Sequence, residues 1–140
     1  MTVYTLFIRS CLEYCSTVFH SSLTKQQTQT IQRVQKVCLK VILHPNYTDY
    51  EGALRACKLS KLTDRRSQRC LNFSLKSSQH PKHSKLFPIS ETFQNNSHNI
   101  RYPNKYKVNF AKTESYRSST IPFCQRQLNN YLMEKQKHEK

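Results

Sequence analysis

The chain has 140 residues, enough for one modest domain with a real core, but only 36% of them are hydrophobic, so that core must be economical. Twenty-three lysines and arginines against eight acids give a formal charge of +15, a field that draws polyanions. One glycine (Gly52) and two separated aspartates (Asp49 and Asp64) exclude Gly-rich phosphate loops, the dinucleotide fingerprint, the nucleophile elbow and a carboxylate-built two-metal site.

At about 100° per residue, Tyr4, Phe7, Ile8, Cys11, Leu12, Tyr14, Cys15, Val18 and Phe19 fall on one side of a helix, with Arg9, Glu13, Ser16 and His20 opposite. This predicts one amphipathic helix of about five turns, with Cys11, Cys15 and Phe19 as structural core residues. Arg9 and Glu13 interrupt the apolar run, so it reads neither as a signal peptide nor as a spanning helix. An intracellular site, nuclear or cytoplasmic and not secreted, is the expectation, with no membrane partner and the six cysteines reduced.

After Ser21-Ser22, Thr24 with Gln27 three residues on forms a capping box. The helix it starts carries an apolar stripe of Ile31, Val34, Val37, Cys38, Val41 and Ile42, of which Ile31, Val34 and Val41 are assigned to the core. Arg33, Lys36 and Lys40 lie opposite with Gln29. The helix ends at His44-Pro45, since the residue before proline avoids the helical region. So short a turn between two long helices predicts an antiparallel hairpin.

A short helix follows over Tyr50 to Cys57, capped by Thr48 with Glu51. Another spans Leu62 to Lys76, capped by Ser60. Its Leu62 and Phe73 share a side with Arg65, Arg66, Arg69 and Lys76. Gln79 to Asn104 reads as linker, broken by Pro81, Pro88 and Pro103. Tyr106 to Phe110 alternates as a short strand would. Ser118-Ser119-Thr120-Ile121-Pro122 starts a final helix with Phe123, Leu128, Tyr131 and Leu132 on its weak apolar side.

The expected architecture is therefore mainly α: an antiparallel helical hairpin plus two shorter helices over 1–78, a linker over 79–105, and a tail over 106–140 with one short strand and a terminal amphipathic helix. Twelve basic and four acidic residues precede position 79, and eleven and four follow it, so the positive excess runs along the whole chain.

Between Thr24 and Leu43 there is no acid to neutralise Arg33, Lys36 and Lys40. A strip of this kind suits the phosphates of an RNA or DNA duplex, held without sequence readout. Arg65 and Arg69, with Lys76, offer further phosphate donors. Arg66 is assigned a structural role, bonded to Glu51, Asp64 or helix-end carbonyls. Cys57, Cys70, His80 and His83 match no zinc-finger spacing, and no Cys–His signature marks a nucleophile. No metal, cofactor or catalytic residue is expected.

The ordered set Phe7–His20 (FIRSCLEYCSTVFH), Ile31–Lys36 (IQRVQK), Tyr47–Leu54, Leu59–Arg66 (LSKLTDRR) and Ala111–Pro122 (AKTESYRSSTIP), then Arg126 and Leu128–Leu132 (LNNYL), resembles a known arrangement. It is similar to the thumb and post-thumb region of the reverse transcriptase of non-LTR retrotransposons, of the jockey and chicken-repeat type. That family usually has tryptophan where Phe19 stands. The resemblance implies a fragment of an RNA-directed DNA polymerase whose catalytic part lies upstream. Such a fragment would be no enzyme on its own, and its partners would be the missing polymerase palm and an RNA/DNA duplex. The alternative is a helical protein-interaction module, or a pseudogene product without function.

Overall fold

The computed structural model describes residues 1–95 and 104–138. The chain is mainly α, and the described residues contain one isolated β-bridge and no longer strand. No helix among them is long and apolar enough to cross a membrane. Two units separate, Met1–Arg69 and Cys70–Lys140; the boundary falls inside a helix, earlier than the break expected after residue 78.

In the first unit the expected opening helix is interrupted. A π-helical turn, Tyr4–Ile8, leads into α1 (Arg9–Glu13); Tyr14 is then extended and Cys15 left-handed, with φ of 49°, before α2 (Ser16–Phe19). A left-handed non-glycine residue costs about 1 kcal/mol or more, so something must hold it there. Glu13 and Ser16, expected outside, are buried, while Phe7 and Tyr14 are 67% and 77% exposed. The core assignment of Cys11 and Cys15 is thereby corrected: both are exposed free thiols. The apolar wheel fails because the backbone turns at Tyr14-Cys15 and the Glu13 carboxylate is drawn inward. Phe19 is half-buried.

The next helix, α3 (Lys25–Ile42), begins with the complete capping box: the Gln27 N–H donates to Thr24 Oγ1 at 3.2 Å, and Thr24 N–H donates to Gln27 Oε1 at 2.9 Å. Its buried line is Gln35 and Leu39, not the expected valines. Leu39 packs with Ala53 and Leu54, and Leu43, Tyr47, Tyr50, Cys57 and Leu59 close around them. Burying such a leucine is worth about 2 kcal/mol. Val34 and Val41 are exposed and Ile31 is half-buried, so their assignment to the core is corrected. Gln35, through its hydrogen bonds, and Leu39, through its packing, hold one side of α3 inward, and the valines then point outward.

Helix α4 (Tyr50–Ala56) is capped by Asp49 rather than Thr48, its carboxylate accepting from the N–H groups of Glu51 and Gly52. A Cβ on Gly52 would stand 2.5 Å from the Asp49 Oδ1, so a larger residue there would push the carboxylate aside. At the other end Lys58 adopts φ of 52°. The N–H groups of Lys58 and Leu59 donate to the carbonyls of Arg55 and Leu54, at 3.0 and 2.8 Å. This is a Schellman motif with lysine in the place glycine usually takes.

Helix α5 (Leu62–Gln79) is joined to α3 by Gln35, not capped by Ser60. The Gln35 Oε1 accepts from the Leu62 N–H at 3.3 Å and from the Tyr50 hydroxyl at 2.7 Å, while its Nε2 donates to the Ser60 carbonyl at 3.1 Å. Leu62 and Arg66 are wholly buried in the first unit; Cys70 and Ser74 are so in the second. A spacing of four keeps these positions on one helical side.

In the second unit Phe87, Cys124 and Leu128 form the core, flanked by Leu75, Tyr106 and Phe123. Phe87 follows a 3₁₀ turn, Pro81–Leu86, and precedes α6 (Glu91–Asn95), so the stretch expected as linker contributes Phe87 to this core. The rest of that linker, 96–103, lies outside the described residues. The expected strand at Tyr106 is a single antiparallel bridge to Ile89. Beyond it come α7 (Glu114–Arg117) and the long α8 (Thr120–His138). The Asn129 side chain both accepts from the Tyr106 N–H and donates to the Tyr106 carbonyl, each at 2.9 Å. The amide satisfies a backbone that would otherwise have paired with a neighbouring strand.

Candidate nucleic-acid interface

Three lysine and arginine side chains of α3 stand together. At 3.6 residues per turn, Arg33, Lys36 and Lys40 fall within an arc of about 60°, and all three are exposed. Gln29 shares this arc. The Lys36 ammonium lies over the Tyr50 ring, 5.0 Å from its centre. Such a contact is worth about 0.5–1 kcal/mol at an exposed site and restrains the lysine without neutralising it. No aspartate or glutamate occurs between Glu13 and Asp49. Beside the cations, on the same outward side, run Val34, Val37 and Val41.

Arg65 and Arg69, expected to serve phosphate, are engaged elsewhere. Arg65 donates through Nε and Nη2 to the two carboxylate oxygens of Glu13, at 2.5 and 3.2 Å. Arg69 approaches the same carboxylate at 3.4 Å and donates to the Glu13 carbonyl at 3.4 Å. Burial alone would raise the Glu13 carboxyl. The Arg65 hydrogen bond and the charges of Arg65, Arg69 and Arg9 outweigh it, holding the group below its ordinary value. An open depression of about 360 Å³ beside them is lined by Asp64 as well as Arg65 and Arg69. The Arg69 side chain stays half exposed beside the Glu13 carboxylate.

Arg66 is wholly enclosed, and Glu51, one of its expected partners, pairs with Lys61 at 2.7 Å. Lys76 is exposed and belongs to the second unit. Among the described residues no three His, Cys, Asp or Glu side chains converge in a way that could hold a metal ion.

Two residues that organise this surface escaped the sequence reading. Glu13 sat on the polar side of a helix assumed continuous, and only its meeting with residues 52 and 56 positions away reveals its role. Gln35 lies on a helix rich in glutamine, with no local signal to separate it from the exposed ones. No family model, curated protein or solved structure matches the chain.

Proposed function

We propose that this chain is a non-catalytic C-terminal piece of a non-LTR retrotransposon RNA-directed DNA polymerase, and that α3 binds RNA or DNA through its phosphates without reading sequence. The observation that carries the binding is the exposed trio Arg33, Lys36 and Lys40 on a helix that itself contains no acid. The parentage rests on the ordered resemblance of the segments from Phe7 to Leu132. Phosphate contacts release condensed counterions, so affinity falls with salt at a slope of about −0.9 per contact.

The test is fluorescence anisotropy with an RNA/DNA duplex of arbitrary sequence over a salt series. Replacing Arg33, Lys36 and Lys40 together by glutamate lowers affinity at least tenfold and flattens the salt slope by about 2–3. Duplexes of different sequence bind the native chain within about threefold of one another. An unchanged slope in the triple variant would refute the assignment.

A further inference from the structure

The first unit has an apolar cleft between its N-terminal turn and the second half of α3. Val3, Tyr4 and Ile8 line one wall and Val37, Val41 and Ile42 the other, around a volume of about 240 Å³. Tyr4 is buried at its base, whereas Val37 and Val41 are 55% and 72% exposed. Valine is a poor choice for an exposed helix position, because its branched Cβ loses rotamer freedom there. Contiguous exposed apolar surface of this kind marks a site of interaction.

The charge around the cleft selects the occupant. Arg33, Lys36 and Lys40 run along the edge of Val37 and Val41. The only acid before Asp49 is Glu13, and it is buried under Arg65 and Arg69. A second copy of the chain would bring like charges together, at +15 each, which opposes self-docking. A bilayer takes up a protruding apolar face, whereas Tyr4 sits recessed between two walls. A groove between helical segments is instead filled by the side-chain ridge of another helix.

We infer that this cleft docks an acidic amphipathic helix from a protein partner, its apolar stripe seated between Val3, Ile8, Val37 and Val41 and its flanking carboxylates on Arg33, Lys36 and Lys40. The inference goes beyond nucleic-acid binding and sets the two ligands in competition, since one row of cations serves both.

The probe is a labelled synthetic peptide of about 18 residues, long enough to hold a helix, with leucines at i, i+3, i+4 and i+7 and glutamates on either side. Titrated with the full chain, it binds about tenfold tighter than a scrambled peptide of identical composition. Val37→Asn and Val41→Asn, which add no charge beside the cations, each reduce peptide affinity about tenfold, with unchanged far-ultraviolet circular dichroism and duplex affinity within about threefold of the native chain. Bound peptide slows alkylation of Cys38, in the cleft wall, and not of exposed Cys11. That protection, read in the native chain, decides the matter if an asparagine variant fails to fold.

Equal binding of the scrambled peptide would reduce the effect to charge alone and overturn the inference. So would indifference to both valine substitutions, tighter binding to anionic phosphatidylserine vesicles than to the peptide, or self-association that shields Cys38 without any peptide. Failure of the nucleic-acid reading is separate: it appears as an unchanged salt slope in the Arg33, Lys36 and Lys40 variant, with the valine variants still selective for the peptide.

Discussion

Gln35 is a wholly buried amide that ties the middle of α3 to the starts of α4 and α5. Its oxygen takes hydrogen bonds from Gln32, Tyr50 and Leu62, and its nitrogen donates to Ser60. Truncation leaves a buried N–H, carbonyl and hydroxyl to find partners, each worth about 1 kcal/mol or more. Gln35→Ala is expected to lower stability by about 2–4 kcal/mol in urea unfolding, and a loss below about 1 kcal/mol would contradict this network. Lys58 presents the opposite case, a position where the native residue is the strained one. Its φ of 52° lies where glycine carries no Cβ penalty, and the Schellman bonds use only backbone atoms. Lys58→Gly therefore stabilises by about 1 kcal/mol, raising Tm by several degrees.

Among the elements, α8 shows how a polar residue can hold a segment without regular structure. Asn129 supplies one donor and one acceptor to Tyr106, as a neighbouring strand would. Gln125 adds a bond to the Leu86 carbonyl at 2.8 Å. With Phe87, Cys124 and Leu128 between them, these contacts pin the end of the 3₁₀ turn and the stretch at Tyr106 onto one helix. Asn129→Ala removes both bonds to Tyr106 and leaves its backbone groups unpaired, at a cost of about 2 kcal/mol. Amide exchange at Tyr106 then speeds up far more than at Leu39, in the core of the other unit; equal acceleration at both would show global unfolding instead. The α3 helix makes a complementary point. A long, well-capped helix is legible in the sequence, yet which of its sides is buried depends on the distant partners of Gln35 and Leu39.

For the molecule as a whole, three groups that titrate below neutrality act in one direction. Glu13 and Asp49 are held below their ordinary 4.5 and 3.8. For Glu13, burial pushes upward and the arginines prevail; for Asp49, the Gly52 N–H is the largest cause. A depressed carboxyl stabilises above its unfolded value, and that stability is lost as pH falls through the folded one. His20 is held below its ordinary 6.5, first by burial and then by the charge of Arg66. The folded chain thus resists protonating it, and stability declines as pH drops below 6.5. Urea midpoints are expected to fall in two stages on acidification, the first beginning near 6.5 and the second in the carboxylate range. His20→Gln, which can still bond to Ser67, flattens the first stage alone. A midpoint constant from neutrality down to the carboxylate range would refute the His20 contribution.

The sequence by itself determined the helical class, the Thr24 and Gln27 start of α3, the close grouping of Arg33, Lys36 and Lys40, and the start of the last helix near Thr120. Each follows from interactions within a few residues, where spacing and side-chain type decide the outcome. Tertiary structure alone decided which side of each helix is buried. Glu13 meets Arg65 and Arg69, Gln35 meets Ser60 and Leu62, and Asn129 meets Tyr106. These are hydrogen bonds between distant polar groups, so hydrophobic periodicity carries no trace of them. In a chain with so few apolar residues, such bonds turn the helices as firmly as the core does. That is why the valines of α3, assigned to the interior by their spacing, face outward beside its cations.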